Sequence, residues 1–160
     1  MMTNPQTNKP KIRKEKPIED TLLFKQSMDF REEIKGVLKN MNVRHVSLYG
    51  MPMNDALRGA LVNYRMCYLE GSENYDDKVA YMRTSCEKFA EVDILLSEWF
   101  AASIINKKTF CRLAPIAGSI LDGSKRFYDA VKRKRDYRSG SDAGQDESGE
   151  QENGNDKVIS

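Results

Sequence analysis

Charge carries the chemistry of this chain. Between Lys107 and Arg138, lysine or arginine stands at positions 107, 108, 112, 125, 126, 132, 133, 134, 135 and 138. Acids stand only at 122, 129 and 136, which leaves a surplus of seven positive charges. A segment this cationic points to a partner of opposite charge, nucleic acid first. The competing reading of any single basic run is a solvated helix face.

No other residues assemble into a chemical motif. The chain has no Gly-rich phosphate loop, no HExxH and no GxSxG. Glu87, Glu91 and Glu98 recur at helical spacing, and carboxylates on bundle helices hold paired metals in some proteins. That chemistry uses ExxH pairs, whereas the one histidine, His45, falls in a connection. The three cysteines, Cys67, Cys86 and Cys111, form no CxxC pair. They read as small buried or half-buried residues in a reducing cytoplasm. The expectation is a binding protein without enzyme activity, cofactor or metal. No apolar run approaches the ~18 residues of a membrane span.

The elements that position the cations follow from apolar periodicity. Leu113, Ile116, Ala117, Ile120, Leu121, Phe127 and Val131 recur at three- and four-residue steps, one buried face of a helix. Pro115 predicts either a kink or a helix start nearer Leu113. Thr109 is the candidate N-cap. Three earlier helices are expected. The first runs from Pro17–Asp20 to about Met41, with Leu23, Ser27, Phe30, Ile34, Val37, Leu38 and Met41 inward. The second runs from an Asn54 cap to about Glu70, with Leu57, Ala60, Leu61, Tyr64, Cys67 and Tyr68 inward. The third starts near Asn74–Asp76 and runs to about Ile104 on Val79, Met82, Cys86, Phe89, Leu96, Trp99, Phe100 and Ser103. Val92, Ile94 and Leu95 widen its stripe, so that end is either buried on two sides or carries a second contact surface. Residues 42–53 read as a connection, with Gly50 and Pro52 as helix breakers. The predicted fold is all-α, an antiparallel up-down four-helix bundle over residues 18–138.

Charge is segregated along the chain. Residues 1–17 carry five bases and one acid, and predict a disordered basic arm. Residues 18–106 are net acidic, with ten bases and fourteen acids. Residues 139–160 carry six acids and one base, and predict a disordered acidic tail. The tail has the sign to fold back on the basic helix, or to serve only as a solubilising end.

The order of these features resembles a bacterial four-helix-bundle family. The resemblance rests on the Tyr49-Gly50 pair and on an N-x-x-x-x-x-x-E-G segment from Asn63 to Glu70-Gly71. It rests also on the small-residue run from Gly118 to Gly123 and on the basic KRKR end. The family has two branches: proteins encoded in intervening sequences of 23S ribosomal RNA genes, and the accessory variability determinant of diversity-generating retroelements. Leu69 stands where the first branch has the alanine of A-E-G. Ser124-Lys125 stand where the second often has Gly-Trp. Gly118 and the basic end favour the second branch.

That branch implies a homopentamer that binds the element's reverse transcriptase and its template RNA and supports mutagenic complementary-DNA synthesis. It implies that Lys107, Lys108, Arg112, Lys125, Arg126, Lys132, Arg133, Lys134 and Arg135 contact phosphates of RNA or DNA. Such cations, without a base-reading motif, give binding that tolerates sequence and weakens with salt. Tyr128 and Tyr137 are candidates to stack on exposed bases or to pack. The alternative is a protein-interaction or assembly module of the intervening-sequence type, with no nucleic-acid role.

Overall fold

The computed structural model describes residues 16–71 and 73–146, and among them all regular structure is helical. Four helices pack against one another around one core: α1 (Leu22–Lys39), α2 (Met51–Leu69), α3 (Tyr75–Ala101) and α4 (Lys107–Asp146). The expected basic arm falls outside the described residues up to position 15, and the expected tail does so from position 147.

Helix α1 starts later than the acids at 19 and 20 suggest. Those residues belong to a separate 3-10 turn, Ile18–Asp20. Thr21 then takes an extended conformation and caps α1, its Oγ1 accepting from the Phe24 N–H at 3.4 Å. The same hydroxyl donates to the Ile18 carbonyl at 2.6 Å and accepts from the Tyr64 hydroxyl at 2.9 Å. One side chain thus ends the turn, starts the helix and ties α1 to α2.

Residues 43–50 are helical, contrary to the expected open connection. Asn42 caps a single turn, Val43–His45, through its Oδ1 and the His45 N–H at 2.8 Å. A π-helical turn, Val46–Gly50, runs directly into α2. The wider π turn explains why Pro52 is tolerated. Met51 reaches back five residues to the Val46 carbonyl, and the proline takes a first-turn position where its missing N–H costs little. Gly50 is buried against α1: a Cβ there would lie 2.6 Å from Leu38 Cδ2, the end of a side chain that can shift to make room. Asn54 therefore sits inside the helix rather than at its cap.

Most of the expected apolar positions form the core; Phe100 and Ser103, expected inward on the third helix, are exposed, and Ser103 lies beyond its end. Trp99, Tyr64, Phe30 and Phe89 are its largest buried side chains. Burying such a side chain contributes about 1.5–3 kcal/mol. The Trp99 indole N–H donates to the Tyr49 carbonyl at 3.1 Å, so the core ring keeps a partner. Helices α2 and α3 approach closely where Ala60 and Ser85 meet, with Ser85 Oγ donating to the Ala60 carbonyl at 2.8 Å. The wide end of α3 is mostly intramolecular. Val92 is buried, Leu95 is half-buried and Phe100 stacks on Phe110 of α4 at 4.6 Å. Only Ile94 of that extra set stands exposed.

Helix α3 ends with Ser103 in the left-handed region (φ 59°) and the Ile104 N–H bonded to the Trp99 carbonyl at 2.8 Å. This six-to-one bond satisfies an end carbonyl, at a conformation that usually selects glycine. Asn106, not Thr109, caps α4: its Oδ1 accepts from the Thr109 N–H at 2.8 Å.

Helix α4 is a single 40-residue helix. Pro115 neither starts nor interrupts it. The ring lies on the exposed side, where water can reach the carbonyl that its missing N–H leaves free. The helix also continues eight residues beyond the predicted boundary at 138. Extending an existing helix needs no new nucleation, so a Gly/Ser/Asp composition is overruled.

Candidate nucleic-acid interface

Helix α4 buries one narrow side. Leu113, Ala117, Ile120, Ser124 and Val131 are within 6% of full burial. At about 100° per residue, these positions define a core-facing line, and Lys107, Lys108, Lys125, Arg126, Lys132 and Arg133 fall within an arc of about 120° on the opposite side. All six are exposed. None has an ion-pair partner among the described residues.

The other three predicted contacts lie differently. Arg112 pairs with Glu33 of α1, with both side chains about half exposed. A pair of that kind contributes only about 0–1 kcal/mol, so phosphate can replace the carboxylate at little cost. Arg135 turns toward α3. It lies 3.8 Å from Asp76 and 3.1 Å from Asp136, and its side chain is 27% exposed. Lys134 is exposed and borders a recess shared with Tyr75 and Lys78 of α3.

The cations also separate along the axis. At about 1.5 Å per residue, Lys107 and Lys125 stand about 27 Å apart, and Lys132 lies about 10 Å further on. The result is two clusters rather than one continuous patch. Lys107 and Lys108 occupy the positive end of the helix dipole, where cations are unfavourable for the helix and attractive to an anion. Three acids interleave the outward side. Asp122, Asp129 and Asp136 are all exposed and recur every seven residues, the first two between cation pairs and the third after the last pair.

Tyr128 is half-buried, and its hydroxyl accepts from Arg83 Nε and a terminal nitrogen, both at 3.4 Å. Tyr137 is 80% exposed. Arg138 was counted in the charge but not among the contacts, and its guanidinium lies over the Tyr75 ring at 5.0 Å. Position alone hides such a partner, because Tyr75 is 63 residues away in sequence.

A polar feature lies at the end of the bundle where α4 starts. A polar cleft of about 700 Å³ is lined by residues that include Glu32, Glu33, Asn40, His45 and Arg112. The Glu32 carboxyl is held below its ordinary range, chiefly by its hydrogen bond from Lys35. His45 sits edge-on to Tyr49 at 6.0 Å. Of the cysteines, Cys67 is buried and its thiol is pushed up to about 11 by burial. Burial raises the Cys86 thiol as well. Cys111 departs from the expectation of a half-buried residue and is exposed. Among the described residues no group of three or more His, Cys, Asp or Glu is arranged to hold a metal ion. No described helix is long and apolar enough to cross a membrane.

No family model matches this chain, and no curated protein or solved structure matches it.

Proposed function

We propose that the outward side of α4 binds the phosphate backbone of nucleic acid. One observation carries this reading. Six cations from 107 to 133 share one solvent-facing arc, and none is neutralised by an ion pair among the described residues. A helix stabilised only by its inward side has no structural need for them. Phosphate contacts of this kind position a partner without reading its sequence.

The broader reading is a non-catalytic accessory subunit of a diversity-generating retroelement, which binds the reverse transcriptase and template RNA as a homo-oligomer. The family resemblance and the basic end of α4 support it. In this reading the helices form an antiparallel up-down bundle. The contacts of Tyr75 with Arg138 and of Phe100 with Phe110, at opposite ends of α3, support that arrangement.

A second reading, a protein-interaction module, is favoured by the interleaved Asp122, Asp129 and Asp136 and by the exposed Val62, Met66 and Leu69 of α2. Co-expression with the reverse transcriptase of a neighbouring gene separates the two. The first reading predicts a co-purifying complex that retains RNA, and loss of that RNA when Lys125, Arg126, Lys132 and Arg133 are changed to Ala. A complex free of RNA, or RNA retained undiminished by the variant, contradicts it.

A further inference from the structure

The end of the bundle beside the larger cation cluster has a feature that a phosphate-binding face does not need. A recess of about 400 Å³ lies where the α2–α3 connection meets α4. Its apolar lining includes Tyr68, Phe127 and Val131, and Tyr75 borders it from the first turn of α3. Lys78 of α3 and Lys134 of α4 stand at the same recess, and neither has an ion-pair partner among the described residues. Small-ligand sites fall at about 300–1,000 Å³; this recess is within that range, and its exposed lining is at least as polar as it is apolar. The volume suits one nucleotide and excludes a duplex.

We infer that this recess takes a single unpaired nucleobase, with the adjoining phosphate on Lys78 and Lys134. The inference rests on the nucleic-acid reading of α4 and adds a ligand class to it: strand ends and unpaired positions. Aromatic side chains are the usual platform for unstacked bases, and cations beside them take the connecting phosphate. The Arg138 guanidinium lies over the Tyr75 ring at 5.0 Å, so a base that stacks on that face takes its place, and a second recess of about 420 Å³ adjoins Tyr75, Arg133, Lys134, Tyr137 and Arg138. Cations therefore continue from the base recess to the outward side of α4, along the route a strand would take. Glu70 also borders the recess, and its carboxylate accepts from Asn74 Nδ2 at 2.8 Å. It repels phosphate and accepts from an exocyclic amino group, so adenine is the base of choice for a probe.

The test compares the full chain on a blunt DNA duplex and on the same duplex carrying a one-adenosine 3′ overhang. Base stacking on an aromatic side chain predicts roughly tenfold tighter binding of the overhang. Tyr75→Phe should keep that preference. Tyr75→Ala should reduce it to within about twofold. Equal affinity of the wild-type chain for both duplexes overturns the inference and leaves the phosphate-binding reading standing, as does a preference that survives Tyr75→Ala. Failure to bind either duplex removes the phosphate-binding reading. The recess is then judged by nuclear magnetic resonance titration of the wild-type chain. Adenosine 5′-monophosphate should shift the Tyr75 and Lys78 amides more than ribose 5-phosphate does, and equal or absent shifts overturn the base site.

Discussion

The two sides of α4 are built on opposite principles. Its inward side is small and apolar, from Leu113 to Val131, and even its buried Ser124 satisfies its hydroxyl within the helix, on the Leu121 carbonyl at 2.7 Å. Its outward side carries cations in pairs with no ion-pair partners among the described residues, separated by Asp122 and Asp129 and followed by Asp136. The inward side accounts for the stability of the helix in the bundle. The outward side adds nothing to packing, and Lys107 and Lys108 oppose the helix dipole. Charge held where it does not help the fold is charge available to a partner.

Changes to the two sides should therefore separate folding from binding. The largest effect belongs inward: Leu113→Ala removes a fully buried side chain and should cost about 2–5 kcal/mol of stability. Chemical denaturation reads that loss, and the folded fraction of the variant should keep its affinity for nucleic acid. Outward, changing Asp122, Asp129 and Asp136 together to Asn should tighten nucleic-acid binding, since each carboxylate repels phosphate. Weaker binding would instead indicate a partner that uses those acids, as an interacting protein would. The smallest effect has two signs. Changing Lys107 and Lys108 to Ala should make the salt dependence of binding less steep by up to about 2 in the slope of log K against log salt. The same change should raise stability by about 0.3–1 kcal/mol per lysine at low salt. Thermal melting and a salt titration of one protein sample check both.

The parts of this arrangement readable from sequence are those set by local periodicity. The inward stripes of all four helices follow three- and four-residue steps, so Phe30, Tyr64, Phe89 and Leu113 were placed correctly in the core. Boundaries governed by a few hydrogen bonds were not readable. Gly50 and Pro52 look like breakers, yet a π turn accommodates the proline, and the glycine sits buried within it beside Leu38 of α1. Residues 139–146 have the composition of a tail but extend a helix already formed. At the candidate interface, the positions of the cations were plain, while their engagement was not. Arg112 meets Glu33 and Arg135 meets Asp76 across the fold, and no local pattern announces either pair. The seven-residue recurrence of Asp122, Asp129 and Asp136 was available, but a sum of charges concealed it.

Phosphate binding by the outward side of α4 is our proposal. Its most direct test is the salt dependence of duplex binding between 50 and 200 mM salt, for the wild-type chain and for the variant with Lys125, Arg126, Lys132 and Arg133 changed to Ala. Each phosphate contact contributes about 0.9 to the slope of log K against log salt. Phosphate binding there gives a steep decline for the wild-type chain and a slope shallower by about 3 to 4 for the variant, with the helical fold and melting temperature of the variant retained. A wild-type affinity indifferent to salt, or identical slopes for the two proteins, would contradict it.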